Sequence, residues 1–313
     1  MAEPKVVASR YALWQAAIKW PMYSVAVMPA LLAAGALQGL ELKPRWEQLI
    51  LFLLAAVLLL AWENLSNDVF DADTGVDSKG KPHSVVNLSG RRDRVAVAAN
   101  CCLVLGLALM ALVAQQSQGA VLLLVLACCG IGYLYQGPPF RLSYRGLGEP
   151  LCWLAFGPLA SAAALIALAP AGVFDGAAIP WRMALELGAG PAVATSLVLF
   201  CSHFHQVEED AKNGKNSPVV QLGSAKAAAL VPWFVVACFA LQWLPILRGI
   251  WPASAFLGLI GLAPALSLIH LLQRQHNQPE RIIGCKFLAL RFQALNGLGL
   301  ALGLALGPLF LGR

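Results

Sequence analysis

The chain has 313 residues, of which 59% are hydrophobic and 12% charged, with a net charge of +6 and a mean hydropathy of +0.69. Soluble domains carry about a quarter charged residues, so this balance excludes an ordinary soluble protein and implies an all-α, polytopic membrane protein. The basic residues are scattered over loops without interleaved aromatics, which excludes nucleic acid as a partner and assigns the charge to membrane topology.

A spanning helix needs about 20 mostly apolar residues. Nine such runs are predicted, at 20–39, 49–66, 95–114, 119–135, 151–169, 188–205, 227–247, 251–272 and 290–311. The segment before the first holds Glu3, a few basic residues and no short apolar core, so no cleavable leader is expected.

At the exit of the second run lie Asn64, Asn67, Asp68, Asp71, Asp73 and Asp77. Carboxylates at a membrane boundary are costly unless cations compensate them. Asn64, Asp68 and Asp71 share a helical face by the i, i+3/i+4 rule, so they are expected to converge on one ion. Oxygen ligands select a hard cation, Mg2+, which with few protein ligands bridges to substrate phosphates. The plainer reading of the stretch is a solvated acidic loop.

Lys79 and Lys81 follow at once, and the sequence continues into Val85-Val86-Asn87-Leu88. After the sixth run the pattern returns as His203, His205, Gln206, Glu208, Glu209, Asp210, Lys212 and Lys215. Gly80-Lys81 and the Val-Val pair match Gly214-Lys215 and Val219-Val220 at a constant offset of 134 residues. Such an offset suggests a single domain over 1–313, built from a four-helix pseudo-repeat (about 20–135 and 151–272) plus a ninth helix. The acids themselves do not keep that register.

Between these blocks the fourth run ends in a compact aromatic and basic turn containing Tyr135, Arg141, Tyr144 and Arg145. The cations Lys79, Lys81, Arg141, Arg145, Lys212 and Lys215 fall on one predicted face, as an oligophosphate site requires. Ordinary positive-inside anchoring would explain any one of them alone. Sixteen of the 22 Lys/Arg residues lie on the N-terminal arm and the even-numbered exits, five on the opposite side, and Arg291 within the last run. The N-terminus and both acidic blocks are therefore expected in the cytoplasm. The eight cysteines form no CxxC and no Cys/His ligand spacing and read as small core residues.

Asn67-Asp68-x-x-Asp71 with Gly75-x-Asp77 resembles the first aspartate-rich motif of the UbiA superfamily of intramembrane aromatic prenyltransferases, in the spacing of its MenA branch. Lys19-Trp-Pro-Met-Tyr-Ser and Ser202-His-Phe-His-Gln-Val-Glu-Glu-Asp210 are similar to the cyanobacterial 1,4-dihydroxy-2-naphthoate phytyltransferases of that branch. The resemblance implies nine helices around a central cavity and Mg2+ as cofactor. It further implies an isoprenoid diphosphate donor, a hydroxynaphthoate acceptor, and transfer with loss of CO2 and diphosphate. The metal ligands it implies are Asn64, Asn67, Asp68, Asp71, Asp77, Gln206, Glu209 and Asp210, with Asp68, Asp71 and Asp210 catalytic. Lys79, Lys81, Tyr135, Arg141, Arg145, Lys212 and Lys215 would bind the diphosphate, and His203 and His205 the acceptor. Gln206 stands where the family usually has Asp, so the second motif brings one charge fewer. A polyprenyl donor, as in menaquinone synthesis, is the near alternative. A divalent-cation-dependent transporter is the alternative of another class.

Overall fold

The computed structural model describes residues 10–75, 83–174 and 178–308, and every regular element among them is helical. In chain order these are α1 (Arg10–Ile18), α2 (Tyr23–Gly39), α3 (Trp46–Thr74), α4 (Val85–Ser89), α5 (Arg92–Gln116) and α6 (Gly119–Gln136). They continue with α7 (Gly148–Leu168), α8 (Trp181–Ser202), α9 (Val207–Lys212), α10 (Pro218–Leu222), α11 (Ser224–Leu247), α12 (Ala253–Gln275) and α13 (Cys285–Ala305). Among the described residues nine helices are long and apolar enough to cross a membrane: α2, extended back to Ala16, then α3, α5 to α8, and α11 to α13. Each coincides with one predicted run.

Two boundaries differ in ways that matter. The second span was expected to stop near 66, but α3 continues to Thr74 and ends on Gly75, whose φ of 79° is left-handed. Asp68, Asp71 and Asp73 are thus helical, on the last turns of a membrane-crossing element rather than in a loop. The last span begins at Cys285, five residues before the predicted 290. Arg291 then falls in its second turn and is exposed.

The short helices α4 and α10 each follow an acidic block and lead into a span. Ser217 caps α10 by accepting the Val220 amide at 3.5 Å, and Pro218 opens it. The first turn of α4 is held instead by Asp68, whose Oδ2 accepts the Val85 amide at 2.8 Å.

The inner helices are α2, α7, α8 and α13, rich in small side chains that let backbones approach. Ala162, Ala163, Ala164 and Ala167 of α7 are wholly buried, as are Ala30, Ala33 and Ala36 of α2. Outer helices α5 and α6 turn Leu105, Leu112 and Leu123 outward, as lipid contact requires. Two buried apolar clusters result, and Phe156, in the π-helical turn Ala155–Leu159 of α7, packs against both. Near the other end of α13, Gly303 lies on the 3-10 turns of α12 so closely that an added methyl would overlap the Ser254 carbonyl. Gly303→Val is therefore expected to lower stability in detergent by about 1–3 kcal/mol. A thermal unfolding curve like that of wild type would show that the contact is not tight.

Candidate active site

Helices α2, α3, α6, α7, α8 and α13 enclose a cavity of about 710 Å3. Its walls are mostly apolar, with Phe52, Leu60, Met110, Val125 and Phe156 among them. The polar side chains gather where α3, α6 and α8 end: Asn64, Asn67, Asp71, His203, His205, Gln206 and Lys215 all line it, with Lys19 and Lys286.

Asn64, Asp68 and Asp71, whose spacing predicts convergence on one ion, are divided in the structure. At about 100° per residue, Asn64 and Asp71 point within about 20° of each other, whereas Asp68 is turned about 60° from Asp71, away from Asn67. Asn64, Asn67 and Asp71 consequently face the large cavity. Asp68 is fully buried on the other side, beside α4, with Lys19 Nζ at 3.4 Å from its Oδ1. Its observed contacts position Lys19 and α4.

Asp71 is the centre of a hydrogen-bonded group. Gln136 Nε2 donates to its Oδ1, and the Tyr144 hydroxyl donates to the same oxygen at 3.2 Å. Ser143 Oγ donates to Gln136 Oε1 at 3.0 Å, and Thr74 Oγ1 lies 2.9 Å from the Tyr144 hydroxyl. The turn after α6 is thereby bound to the end of α3. Arg141 adopts a left-handed backbone (φ 44°) and brings its guanidinium 5.9 Å from the centre of the Tyr144 ring. Lys215 Nζ lies 5.6 Å from the same centre, so two cations share one aromatic ring.

Burial, and then the charge of Asp71, push the Tyr144 hydroxyl above its ordinary value of about 10. The neutral phenol is the favoured form in the fold, so its contribution to stability is whole below about pH 10 and declines only above it. Tyr144→Phe is accordingly expected to leave the shape of the rate profile between about pH 6 and 9 unchanged. Loss of an alkaline limb in that variant would mean that Tyr144 titrates there.

The second acidic block is packed rather than splayed. Asp210 is fully buried on α9, with His203 Nδ1 at 3.3 Å from Oδ2 and Lys215 Nζ at 3.9 Å from Oδ1. His203 Nε2 faces Glu149 at 3.8 Å, and both Glu149 carboxylate oxygens are buried without a hydrogen bond. The Asn216 amide donates to the Tyr144 carbonyl at 2.9 Å, which joins this block to the turn beside Asp71. The two blocks, remote in sequence, thus meet at Tyr144 and Lys215.

Not every predicted residue reaches the cavity. Tyr135, Gln206, His203, His205 and Lys215 line it. Arg145 and Lys212 are exposed, Glu209 and Arg141 do not line it, and Asp210 contacts His203 and Lys215 instead. Asp77, Lys79 and Lys81 lie outside the described residues. Two residues of the site carry no sequence signal that selects them: Glu63, a single acid at the end of an apolar run, and Gln136, one amide in a turn.

Among the described residues no three His, Cys, Asp or Glu side chains are grouped to hold a metal by themselves. The chemistry of the donors nevertheless fits a hard cation that takes few protein ligands. Asn67 Oδ1 is buried with no hydrogen bond, on the same wall as Asp71, and Gln206 supplies a further amide across the cavity. Arg141 Nε is likewise a buried donor without a partner, available to an anion.

The profile of the UbiA prenyltransferase family matches residues 26–290. The chain is 39% identical over 301 residues to a 2-carboxy-1,4-naphthoquinone phytyltransferase from Synechocystis sp., covering 96% of this chain and 95% of that one. It is 40% identical over 299 residues to the chloroplastic enzyme of the same name from Arabidopsis thaliana, covering 94% and 77%. Among solved structures it resembles a UbiA homolog from Archaeoglobus fulgidus bound to DMAPP and Mg2+. That match has a TM-score of 0.55 and 15% identity, covering 93% of this chain and 99% of that one.

Proposed function

We propose, for a chain that belongs to the UbiA prenyltransferase family, that it transfers a phytyl group from phytyl diphosphate to a carboxylated naphthalene ring, with loss of CO2 and diphosphate. The product is a demethylated phylloquinone, or its quinol where the acceptor is the dihydroxy form. The observation that carries this reading is one cavity with two chemistries. A polar end holds Asn67, Asp71 and Lys215, and the remainder is lined by apolar side chains that suit an isoprenoid.

Both relatives' names give the acceptor as the quinone, whereas the resemblance implied the dihydroxy form. The bonding balance is the same for either. The electron pair of the ring–carboxyl bond stays with the ring as CO2 leaves, and the donor's C1 takes up that valence as its bond to diphosphate breaks. No oxidant or reductant is needed.

Asn67, Asp71 and Gln206 would hold Mg2+, with Asn64 beside them, in keeping with the homolog that binds DMAPP and Mg2+. When bound, that ion supplies positive charge against the charge growing on the departing diphosphate. The chain's own part is to orient and to exclude water. Lys215 offers a fixed cation to the diphosphate, so little reorganisation is needed as charge develops, and Arg141, which does not line the cavity, adds positive charge beside the Tyr144 ring it shares with Lys215. Gln136 and Tyr144 hold the Asp71 carboxylate in one orientation. The apolar walls, to which Phe156 and Tyr135 belong, keep water from the allylic cation. The polar end faces the cytoplasm on the Lys/Arg count, where both substrates' charged groups can enter.

The donor is tested by offering the detergent-purified protein an equimolar mixture of phytyl, geranylgeranyl and longer polyprenyl diphosphates with Mg2+ and the acceptor. Mass spectrometry is expected to find the phytyl adduct as the main product. A longer tail as the main product would move the protein to menaquinone-type synthesis.

A further inference from the structure

We propose that Glu63 recognises a ring oxygen of the aromatic acceptor and so fixes which ring carbon faces the donor; this rests on the prenyl-transfer reading above. Glu63 lies two helical turns before Asp71 on α3 and lines the cavity. Among the described residues Glu63 and Asp71 are the two carboxylates that do so. Their situations differ. Asp71 is held by Gln136 and Tyr144, whereas no hydrogen bond or ion pair from a described residue reaches Glu63.

The surroundings of Glu63 give it no internal partner. Trp62 and Gly132 lie beside its carboxyl group, and Cys129, Tyr135 and Cys152 are close enough to feel its charge. Opposite it, α6 carries Gly132, where an added methyl would overlap Glu63 Oε2. The wall is therefore hollowed where the carboxyl group sits. An ionisable side chain at membrane depth, unpaired and facing a cavity, is costly unless something that enters the cavity binds it.

The chemistry of the two substrates decides what that is. The diphosphate is anionic and is matched by the cation Lys215 among the polar residues of the cavity. The isoprenoid tail is hydrocarbon and gains nothing from a carboxyl group. The acceptor's own carboxyl group leaves as CO2, so a contact to it could not hold the ring through the transfer. The ring oxygens remain, either as hydroxyls that donate to Glu63 or as carbonyls that accept from its acid form.

The register along α3 agrees. Glu63 is about 6 Å from Asn67 and about 12 Å from Asp71 along the helix axis. That separation leaves room for a diphosphate at Asn67 and Asp71, then the donor's C1, then an attack distance of about 3–3.5 Å. A ring held at Glu63 by the oxygen next to its carboxyl-bearing carbon presents that carbon to C1. Sequence reading passes over this residue because one acid beside an asparagine-rich motif looks like part of the motif.

The test is a comparison of Glu63→Leu, Glu63→Gln and Gly132→Ala with wild type, measuring KM for acceptor and donor, kcat, and the fraction of product prenylated at the carboxyl-bearing carbon. Glu63→Leu is expected to raise the acceptor KM about 10–100-fold, the range for a buried hydrogen bond to a charged group, while leaving the donor KM unchanged. Glu63→Gln still bonds a ring oxygen and is expected to recover most of that loss. Gly132→Ala, which displaces the carboxyl group without removing it, is expected to lower the fraction of correctly placed product. Equal changes in acceptor and donor KM, or a Gln variant as impaired as Leu, would overturn the assignment. If Leu does not fold, the Gln and Gly132 variants carry the test on the same terms. A wild-type protein that prenylates no acceptor would instead overturn the enzymatic reading, leaving the two failures distinct.

Discussion

Asp71→Ala is expected to lower prenyl transfer about 1,000-fold while the protein still inserts and folds. Removing one preorganised group that stabilises developing charge costs about 100–1,000-fold in characterised enzymes, and Asp71 combines two contributions. It is the carboxylate facing the cavity beside Asn67, and it is the acceptor that fixes Gln136 and Tyr144. Asp71→Asn separates the two, since it keeps an acceptor for Tyr144 but removes the charge. The Asn variant should therefore retain wild-type thermal stability and lose its response to Mg2+. Initial rates at saturating donor over a Mg2+ titration, with a melting curve beside them, decide the matter. An undiminished Mg2+-dependent rate in either variant would take Asp71 out of the site.

Lys215→Ala is expected to act on both stability and donor binding. Lys215 is buried, 3.9 Å from Asp210 and against the Tyr144 ring. Its loss leaves His203 as the neighbour of two buried carboxylates, Asp210 and Glu149. Breaking a buried pair by removing one partner costs about 3–5 kcal/mol, so the variant should melt well below wild type. Lys215→Arg keeps the charge and should restore most of the stability. If Lys215 also binds diphosphate, the donor KM of any folded Lys215→Met protein rises while its acceptor KM does not. An unchanged donor KM would confine Lys215 to holding the second acidic block together.

The nine helices that, among the described residues, are long and apolar enough to cross a membrane were legible in the sequence because bilayer thickness and backbone hydrogen bonding leave few alternatives for a long apolar run. The site was legible by residue type and neighbourhood, and less so by direction. Asn67, Asp68 and Asp71 were selected together, yet α3 continues through them, and its pitch sends Asp68 towards Lys19 and α4 while Asp71 faces the cavity. The i, i+3/i+4 rule gives adjacency on a helix and does not say where the neighbouring helices put the cavity. Lys212 and Arg145 illustrate the same limit from the other side, since both are exposed and neither lines the cavity. Asp210 was expected to bind metal directly; its observed partners are His203 and Lys215. The meeting of the two blocks through the Asn216 amide and the Tyr144 carbonyl is a long-range backbone contact without any side-chain signature. The space that Glu63 occupies is made by Gly132, on another helix and 69 residues away, which no local pattern links to it.

The most direct measurement supplies purified protein with phytyl diphosphate, Mg2+ and an acceptor isotopically labelled in its carboxyl group, and follows three products at once. The account predicts equal amounts of labelled CO2, diphosphate and phytylated ring, all abolished by chelating the metal. Diphosphate release without labelled CO2, or a phytylated ring that retains the label, would contradict it.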